Sequence, residues 1–429
     1  MSILASLYTG ISGLQSAGQG LGIVGDNIAN ANTTGFKSSR GEFADVVASN
    51  LKGILGGNQI GRGVRLNGVT SVFSQGNLTP TERDADMAIR GDGFFVLSNK
   101  GEVNYTRDGS FRFDSKGRLS TADGFTVQGY RVDQESGKAE SELTDVQFAS
   151  NTIPAKGTKT VSIVANLDNR RPITKESFTP ENAEKTADMN TAIRIYDTAG
   201  TPQNIDVFFY KTGDSEWKWY GMADGSTLQG GQEGKREVVA EGRLTFTGDG
   251  KLATDELTNL NLKFRGADPA QKVDFNFGDA IITRKGSGLQ GSTQYGSKSQ
   301  VFRQIQDGYS AGTLTNFSVD ESGMVSGSYS NGVTNPLAQI AMARFENNEG
   351  LFKMGGNRFK EAVLSGQPLI GAASESGRGA VVSKTLEASN VDLANEFVKM
   401  MTTQRNFQAN AKTITTSDEL LQEVINLKR

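Results

Sequence analysis

The chain has no cysteine and no histidine among its 429 residues. Without cysteine there are no disulfides, no thiolate metal sites and no cysteine nucleophiles. Without histidine the usual general base and the commonest metal ligand are missing, and with them most hydrolase triads. Proline is scarce, at 8 residues, while glycine is abundant, at 52. Charge is nearly balanced, with 45 basic against 48 acidic residues for a formal net of −3. Such a balance asks for neither nucleic acid nor an anionic membrane surface. The longest apolar runs, such as Phe94 to Leu97 and Val207 to Tyr210, are strand-sized. They fall far short of the roughly 20 apolar residues of a membrane helix, so no membrane insertion is expected. The start carries no basic region ahead of an apolar run; its first charge is Asp26 and its first basic residue Lys37. A Sec signal peptide is therefore not expected.

What is present is patterned most clearly at the two ends. Leu7, Leu14, Leu21 and Ile28 recur every seven residues, with Leu4, Ile11, Gly18 and Gly25 as a companion row. The spacing predicts a coiled-coil seam on a helix over 1–29. That helix also holds Gly10, Gly13, Gly20 and Gly22. Each interior glycine costs about 1 kcal/mol against alanine, so the helix needs a partner over its seam. Gly18 and Gly25 are expected to let that partner approach closely. At the other end Leu393, Met400, Phe407, Ile414 and Leu421 recur every seven residues. The second row there, Phe397, Gln404, Ala411, Asp418 and Ile425, is polar in the middle. Ser389 with Asp392 reads as a capping box, which predicts a helix over 389–429. Seams at both extreme ends suit ends that meet each other or neighbouring copies.

The middle is β-rich. Ile193 to Tyr196 and Trp217 to Tyr220 alternate or cluster β-branched and aromatic residues. One hairpin signature occurs three times: Phe113 to Leu119 with Gly117, Phe246 to Leu252 with Gly250, and Val319 to Val325 with Gly323. The glycine supplies the positive φ such a loop needs. Glycine-rich stretches at 50–68 and 366–383 read as linkers. The expected organisation is multidomain α+β. Terminal helices pair as a coiled coil, and the central domains are all-β, barrel- or roll-like, with the outer one inserted into the inner one. The spans are 1–29 N-terminal helix, 30–70 linker or extended loop, and 71–145 first part of the inner β domain. They continue as 146–285 outer β domain, 286–365 second part of the inner domain, 366–388 linker and 389–429 C-terminal helix.

No chemistry of a catalytic or cofactor site emerges. Gly286 to Gly291 matches G-x-G-x-x-G, but no βαβ unit surrounds it. Asp84, Asp86 and Asp92 lack the spacing and closing glutamate of a calcium loop, and read as solvated turn acids. Basic residues form no stripe interleaved with aromatics. No catalytic residue, cofactor or metal is expected.

Three stretches resemble the signatures of bacterial flagellar rod and hook axial proteins. The first is Asn27-Ile28-Ala29-Asn30-Ala31-Asn32-Thr33-Thr34-Gly35-Phe36-Lys37. The second is Leu386-Glu387-Ala388-Ser389-Asn390-Val391-Asp392-Leu393, and the third Gln404-Arg405-Asn406-Phe407-Gln408-Ala409-Asn410. In between, Gly91-Asp92-Gly93-Phe94-Phe95 followed by Tyr105-Thr106-Arg107-Asp108-Gly109 is similar to the first β segment of that family. Gln306-Asp307-Gly308-Tyr309 and Ala343-Arg344-Phe345 are more hook-like. The resemblance implies a structural hook subunit rather than an enzyme. It implies export without a cleaved signal through the flagellar type III apparatus, and assembly outside the cell into a helical homopolymer. Its partners would be further copies and the rod, hook cap and hook-filament junction proteins. The tube would be a curved universal joint carrying motor torque from rod to filament. A distal rod subunit has no need of the inserted interval 146–285, and a secreted β-rich adhesin or carbohydrate-binding protein gains nothing from paired terminal heptads.

Overall fold

The computed structural model describes residues 3–46, 49–50, 59–133, 137–148, 152–174, 178–269 and 271–426. The chain divides into two compact units. One comprises 1–150, 316–327 and 334–429, the other 151–315 and 328–333.

In the first unit two long helices carry the termini, α1 (Ile3–Ala29) and α2 (Leu393–Asn426). α2 begins at Leu393, later than the expected 389, because Asp392 is its N-cap. The Asp392 carboxylate accepts from the Ala394 and Asn395 amides at 2.9 and 3.2 Å, which satisfies donors that open every helix. The Ser389 hydroxyl accepts only from the Val391 amide, at 3.3 Å. The predicted capping box is not formed.

Within the expected linker 30–70, Ser39–Asp45 pairs antiparallel with Val64–Ser71. This hairpin packs on α1. Residues 51–58, within the glycine-rich stretch, lie outside the described residues. The second expected linker, 366–388, contains three short strands. Leu369–Ala372 pairs with Thr334–Arg344, Ala380–Ser383 with Met87–Arg90, and Thr385–Glu387 with Leu78–Pro80. Glycine-rich composition misled here because these ribbons are held by backbone bonds, which any residue with an N–H supplies.

The body of this unit is a sheet built around Phe94–Asn99, which pairs with Glu102–Thr106, Thr126–Val132 and Thr334–Arg344. Alternate side chains of one strand enter different cores, as the two-residue period requires. Phe95 and Leu97 join Met87, Ile89, Phe111 and Met342. Phe94 and Val96 join Tyr105, Phe345 and Phe359. A strand covered on both faces reads as a continuous apolar run, and that is what Phe94 to Leu97 is.

The second unit contains a five-stranded antiparallel meander in chain order. It runs through Met189–Tyr196, Pro202–Gly213, Glu216–Asp224, Arg236–Phe246 and Leu252–Leu260. A three-stranded sheet places Thr160–Asn166 between Asp274–Asn276 and Gln300–Gln306. Trp217 and Trp219, two residues apart on one strand, are both buried in a core with Phe209, Phe275 and Phe277. The unit extends past 285 because Gln300–Gln306 completes that sheet and the buried Ser292 hydroxyl donates to the Phe277 carbonyl at 3.0 Å. The three hairpin glycines have φ of 72°, 80° and 76° at Gly117, Gly250 and Gly323. In two of the turns an aspartate closes the loop: Asp114 accepts from the Arg118 amide at 2.8 Å and Asp320 from the Met324 amide at 2.9 Å.

Candidate functional site

The two helices pair antiparallel along a seam with alternating steps of three and four residues. Ser6 meets Ser417, with hydroxyls 3.4 Å apart, and the Asn27 amide donates to Glu396 Oε2 at 3.3 Å. Between these ends Gly13 lies against Asn410 and Gly20 against Thr403. This row of α1 is Ser6, Gly13, Gly20 and Asn27; the opposing row of α2 is Glu396, Thr403, Asn410 and Ser417. The other row of α1 is Gly10, Ala17 and Val24, all buried. Gly10 packs against Ile414, and the same register sets Ala17 opposite Phe407 and Val24 opposite Met400. The seam therefore alternates large knobs of α2 received by small residues of α1 with layers of small or polar residues. A β-carbon on Gly10 would stand 3.0 Å from Ile414 Cγ1, and one on Gly13 2.6 Å from Asn410 Oδ1. The close approach thus occurs at Gly10 and Gly13. The expectation placed it at Gly18 and Gly25, where an added β-carbon would meet nothing within 4 Å.

The sequence-derived seam residues distribute as follows. Met400, Phe407, Ile414 and Leu421 are half-buried on α2. Leu7, Leu14, Leu21 and Ile28 are half-buried on α1, one position beyond the row that faces α2. Ile11, Leu393, Phe397 and Ile425 are exposed, Phe397 at 49% and Ile425 at 66%. The Leu4 side chain lies outside the described residues. Val398 and Met401, not singled out by the heptad rows, are also exposed apolar residues of α2.

Beneath the helix pair the signature segments converge. The Asn30 amide nitrogen donates to the Asp26 carbonyl at 2.9 Å and covers the end of α1, with Ile28 half-buried and Ala29 exposed beside it. Gly35 turns the chain with φ of 66°, and its β-carbon position is 2.6 Å from the Asp108 amide nitrogen. Phe36 is buried, with the Lys353 ammonium 4.4 Å from its ring centre. Asn390 stitches two segments together. Its side-chain nitrogen donates to the Val72 and Ser74 carbonyls at 2.8 and 3.2 Å, and its oxygen accepts from the Ser38 amide at 2.8 Å. Val391 is half-buried, and Gln404 and Arg405 are exposed on α2.

At the centre lies a buried ion cluster. Lys37 Nζ is 2.6 Å from Glu387 Oε1, with both side chains fully buried. The same ammonium donates to the Ser74 carbonyl at 2.7 Å, and the same Oε1 accepts from the Gly76 amide at 2.8 Å. Arg107 Nη1 stands 3.5 Å from Glu387 Oε2, and the guanidinium lies 5.3 Å from the Phe94 ring centre. Burial pushes the Lys37 pKa down, against the pull of Glu387, and burial likewise lowers that of Arg107. Lys37, Arg107 and Glu387 come from three separate motifs. Their distance in sequence hid the cluster, and a charged residue inside each motif was the only available signal.

Among the described residues no group of three acidic side chains gathers as a metal site. Asp84 is paired with Lys384 at 2.8 Å, and Asp86 lies 3.7 Å from Arg83. The G-x-G-x-x-G loop folds around a carboxylate of its own chain: Asp279 accepts from the Ser287 and Gln290 amides at 3.1 and 2.8 Å. No helix among the described residues is long and apolar enough to cross a membrane.

Comparison with known proteins gives consistent matches along the chain. Residues 7–37 match the family "Flagella basal body rod protein" and 88–166 "Flagellar hook protein FlgE/F/G D1 domain". Residues 166–309 match "Flagellar basal body protein FlaE D2 domain", and 382–427 "Flagellar basal body rod FlgEFG protein C-terminal". The flagellar hook protein FlgE of Borreliella burgdorferi is 34% identical over 99% of this chain and its own full length. That of Escherichia coli is 32% identical over 97% of this chain and 98% of its own. That of Salmonella typhimurium is 33% identical over 99% of this chain and all of its own. The crystal structure of the Helicobacter pylori hook protein FlgE2 shares the fold, with a TM-score of 0.53 over 72% of this chain and all of that one, at 17% identity.

Proposed function

The chain belongs to the flagellar hook protein family, and from that membership we propose how this structural subunit, which is not an enzyme, builds its polymer. The helix pair closes one seam within the chain and leaves further apolar side chains uncovered. Phe397, Val398, Met401 and Ile425 on α2 and Tyr8 and Ile11 on α1 are exposed. This second set carries the reading. Neighbouring copies cover it, at about 25 cal/mol per Å² of apolar area removed from water. Chains linked this way head to tail give an open helical polymer.

In this reading the paired helices form the cohesive wall of a hollow tube, and the β units lie outside it. The tube works as a curved universal joint that passes torque from rod to filament. Subunits leave the cell through the flagellar type III apparatus without a cleaved signal. They assemble extracellularly beneath a cap protein, contacting rod proteins at one end and junction proteins at the other. Glycine-rich α1 supports this route, because a helix that needs a partner stays threadable until it meets one.

The test is negative-stain electron microscopy of the purified chain under salting-out conditions, which strengthen apolar burial. Hollow curved tubes are expected from the full chain and none from a chain lacking residues 1–29. Tubes from the truncated chain, or persistent monomers of the intact one in the presence of a cap protein, would overturn it.

A further inference from the structure

We infer that Glu387 makes docking of the N-terminal segment 30–38 conditional on prior seating of the C-terminal segment 380–390. The two segments are anchored unequally. The C-terminal segment reaches the β body by its own bonds. Ala380–Ser383 and Thr385–Glu387 are paired strands. The Ala388 amide donates to the Asn77 carbonyl at 2.8 Å, and Asn390 holds the Val72 and Ser74 carbonyls. Its carboxylate at Glu387 faces Arg107 of the β body and accepts from the Gly76 amide. None of these partners belongs to 30–38.

The N-terminal segment depends on what has already been placed. The Gly35 amide donates to the Glu387 carbonyl at 2.7 Å, and the Ser38 amide to Asn390 Oδ1 at 2.8 Å. The Phe36 carbonyl accepts from the Asn390 amide at 3.4 Å. Its own bonds to the rest of the unit include Lys37 to the Ser74 carbonyl, the Val72 amide to the Ser38 carbonyl at 2.8 Å, and Asn357 to the Thr34 carbonyl at 2.7 Å. The charges make the dependence one-way. Arg107 with Glu387 is a neutral pair without Lys37, at 3.5 Å, and Glu387 Oε1 keeps the Gly76 amide. Lys37 seated without Glu387 is a buried ammonium near a buried guanidinium, with no carboxylate between them. Leaving a buried charge without its partner is among the costliest single changes a fold meets.

Lys37 and Arg107 precede Glu387 in the chain. A chain made from its N-terminus therefore holds both cations before it holds the carboxylate. Until Glu387 is seated, segment 30–38 stays undocked. This ordering is a property of one chain and stands apart from the polymer reading.

Hydrogen exchange on the full-length chain tests it, comparing amides of 33–38 with those of 385–388. Glu387→Gln keeps the side chain's shape and an acceptor while removing the charge. It should speed exchange over 33–38 by about a hundredfold or more. Lys37→Met should open 33–38 while changing 385–388, whose amides have no acceptor in 30–38, by less than about threefold. The double variant, with no ammonium to bury, should recover about tenfold of the protection that Glu387→Gln loses over 33–38. Equal opening of both segments in Lys37→Met would overturn the inference, even if Glu387→Gln fails to fold. So would unchanged exchange over 33–38 in Glu387→Gln, or a wild-type chain in which 33–38 is unprotected.

Discussion

Gly18, Gly22 and Gly25 sit inside α1, yet an added β-carbon at any of them would meet nothing within 4 Å. In the free chain, replacing all three by alanine therefore introduces no clash and removes three helix-weakening residues. At about 1 kcal/mol each in a helix interior, the triple variant should stabilise α1 by about 2–3 kcal/mol. Gly13→Ala is the internal control. Its β-carbon falls 2.6 Å from Asn410 Oδ1, and the Asn410 amide is tied to the Asn406 carbonyl at 2.9 Å. Displacing that side chain offsets the helix gain and leaves Gly13→Ala neutral or about 1 kcal/mol less stable. Hydrogen exchange of α1 amides gives the opening free energy of each variant. The same proteins are then scored for tube formation. If the open glycines are kept for the backbone of a neighbouring copy, the triple variant should be the more stable monomer and the poorer polymer, needing a higher concentration to form tubes. A triple variant with a destabilised α1 would refute the placement of these glycines. One that is stabilised and assembles as readily as the wild type would refute their use by a neighbour.

Two further outcomes follow from the helix cap and from the tyrosines. Asp392→Ala should cost about 1 kcal/mol in α2 stability and Ser389→Ala much less, since only Asp392 accepts from amides within the first turn; equal losses by thermal melting would contradict the assigned cap. Burial raises the pKa of Tyr105, Tyr130, Tyr210, Tyr220 and Tyr329, and at Tyr105 Glu361 adds to the effect. Above the ordinary tyrosine value of about 10 the unfolded chain then binds fewer protons than the folded one, so stability falls as pH rises. Lys37 acts oppositely: its folded pKa is lowered, so in the window just below the ordinary lysine value of about 10.4 its contribution rises with pH. The tyrosines outnumber Lys37, and the melting temperature should drop above about pH 10; a constant or rising value there would contradict the burial of these phenols.

The sequence made the terminal helices, the β-rich middle and the family legible, and it missed the face on which the helices meet. Hydrophobic periodicity selects the largest side chains, so it picks Leu7, Leu14, Leu21 and Ile28. The row that faces α2 is one residue earlier, Ser6, Gly13, Gly20 and Asn27. On α2 hydrophobic spacing picks the Met400, Phe407, Ile414 row, and with it Phe397 to Ile425 as the companion row. The row facing α1 is Glu396, Thr403, Asn410 and Ser417, and Phe397 and Ile425 are exposed. When one helix supplies every large knob, the other must supply holes, and holes carry no hydrophobic signal. The seam is the complementarity of two heptads, a small one at the start of the chain and a large one at its end, which hydrophobic periodicity alone does not pick out.

The ion cluster was hidden for a different reason. Lys37, Arg107 and Glu387 are brought together from segments far apart in the chain, and no spacing rule connects them. Each lies inside one of the motifs by which the chain resembles hook proteins, beside residues that hold the same junction: Gly35 and Phe36, Asp108, and Asn390. A buried charge set works only when complete, since losing one member strands the others without water. Three of the stretches by which the chain resembles hook proteins therefore each supply one charge to the junction that joins the two ends of the chain in the fold.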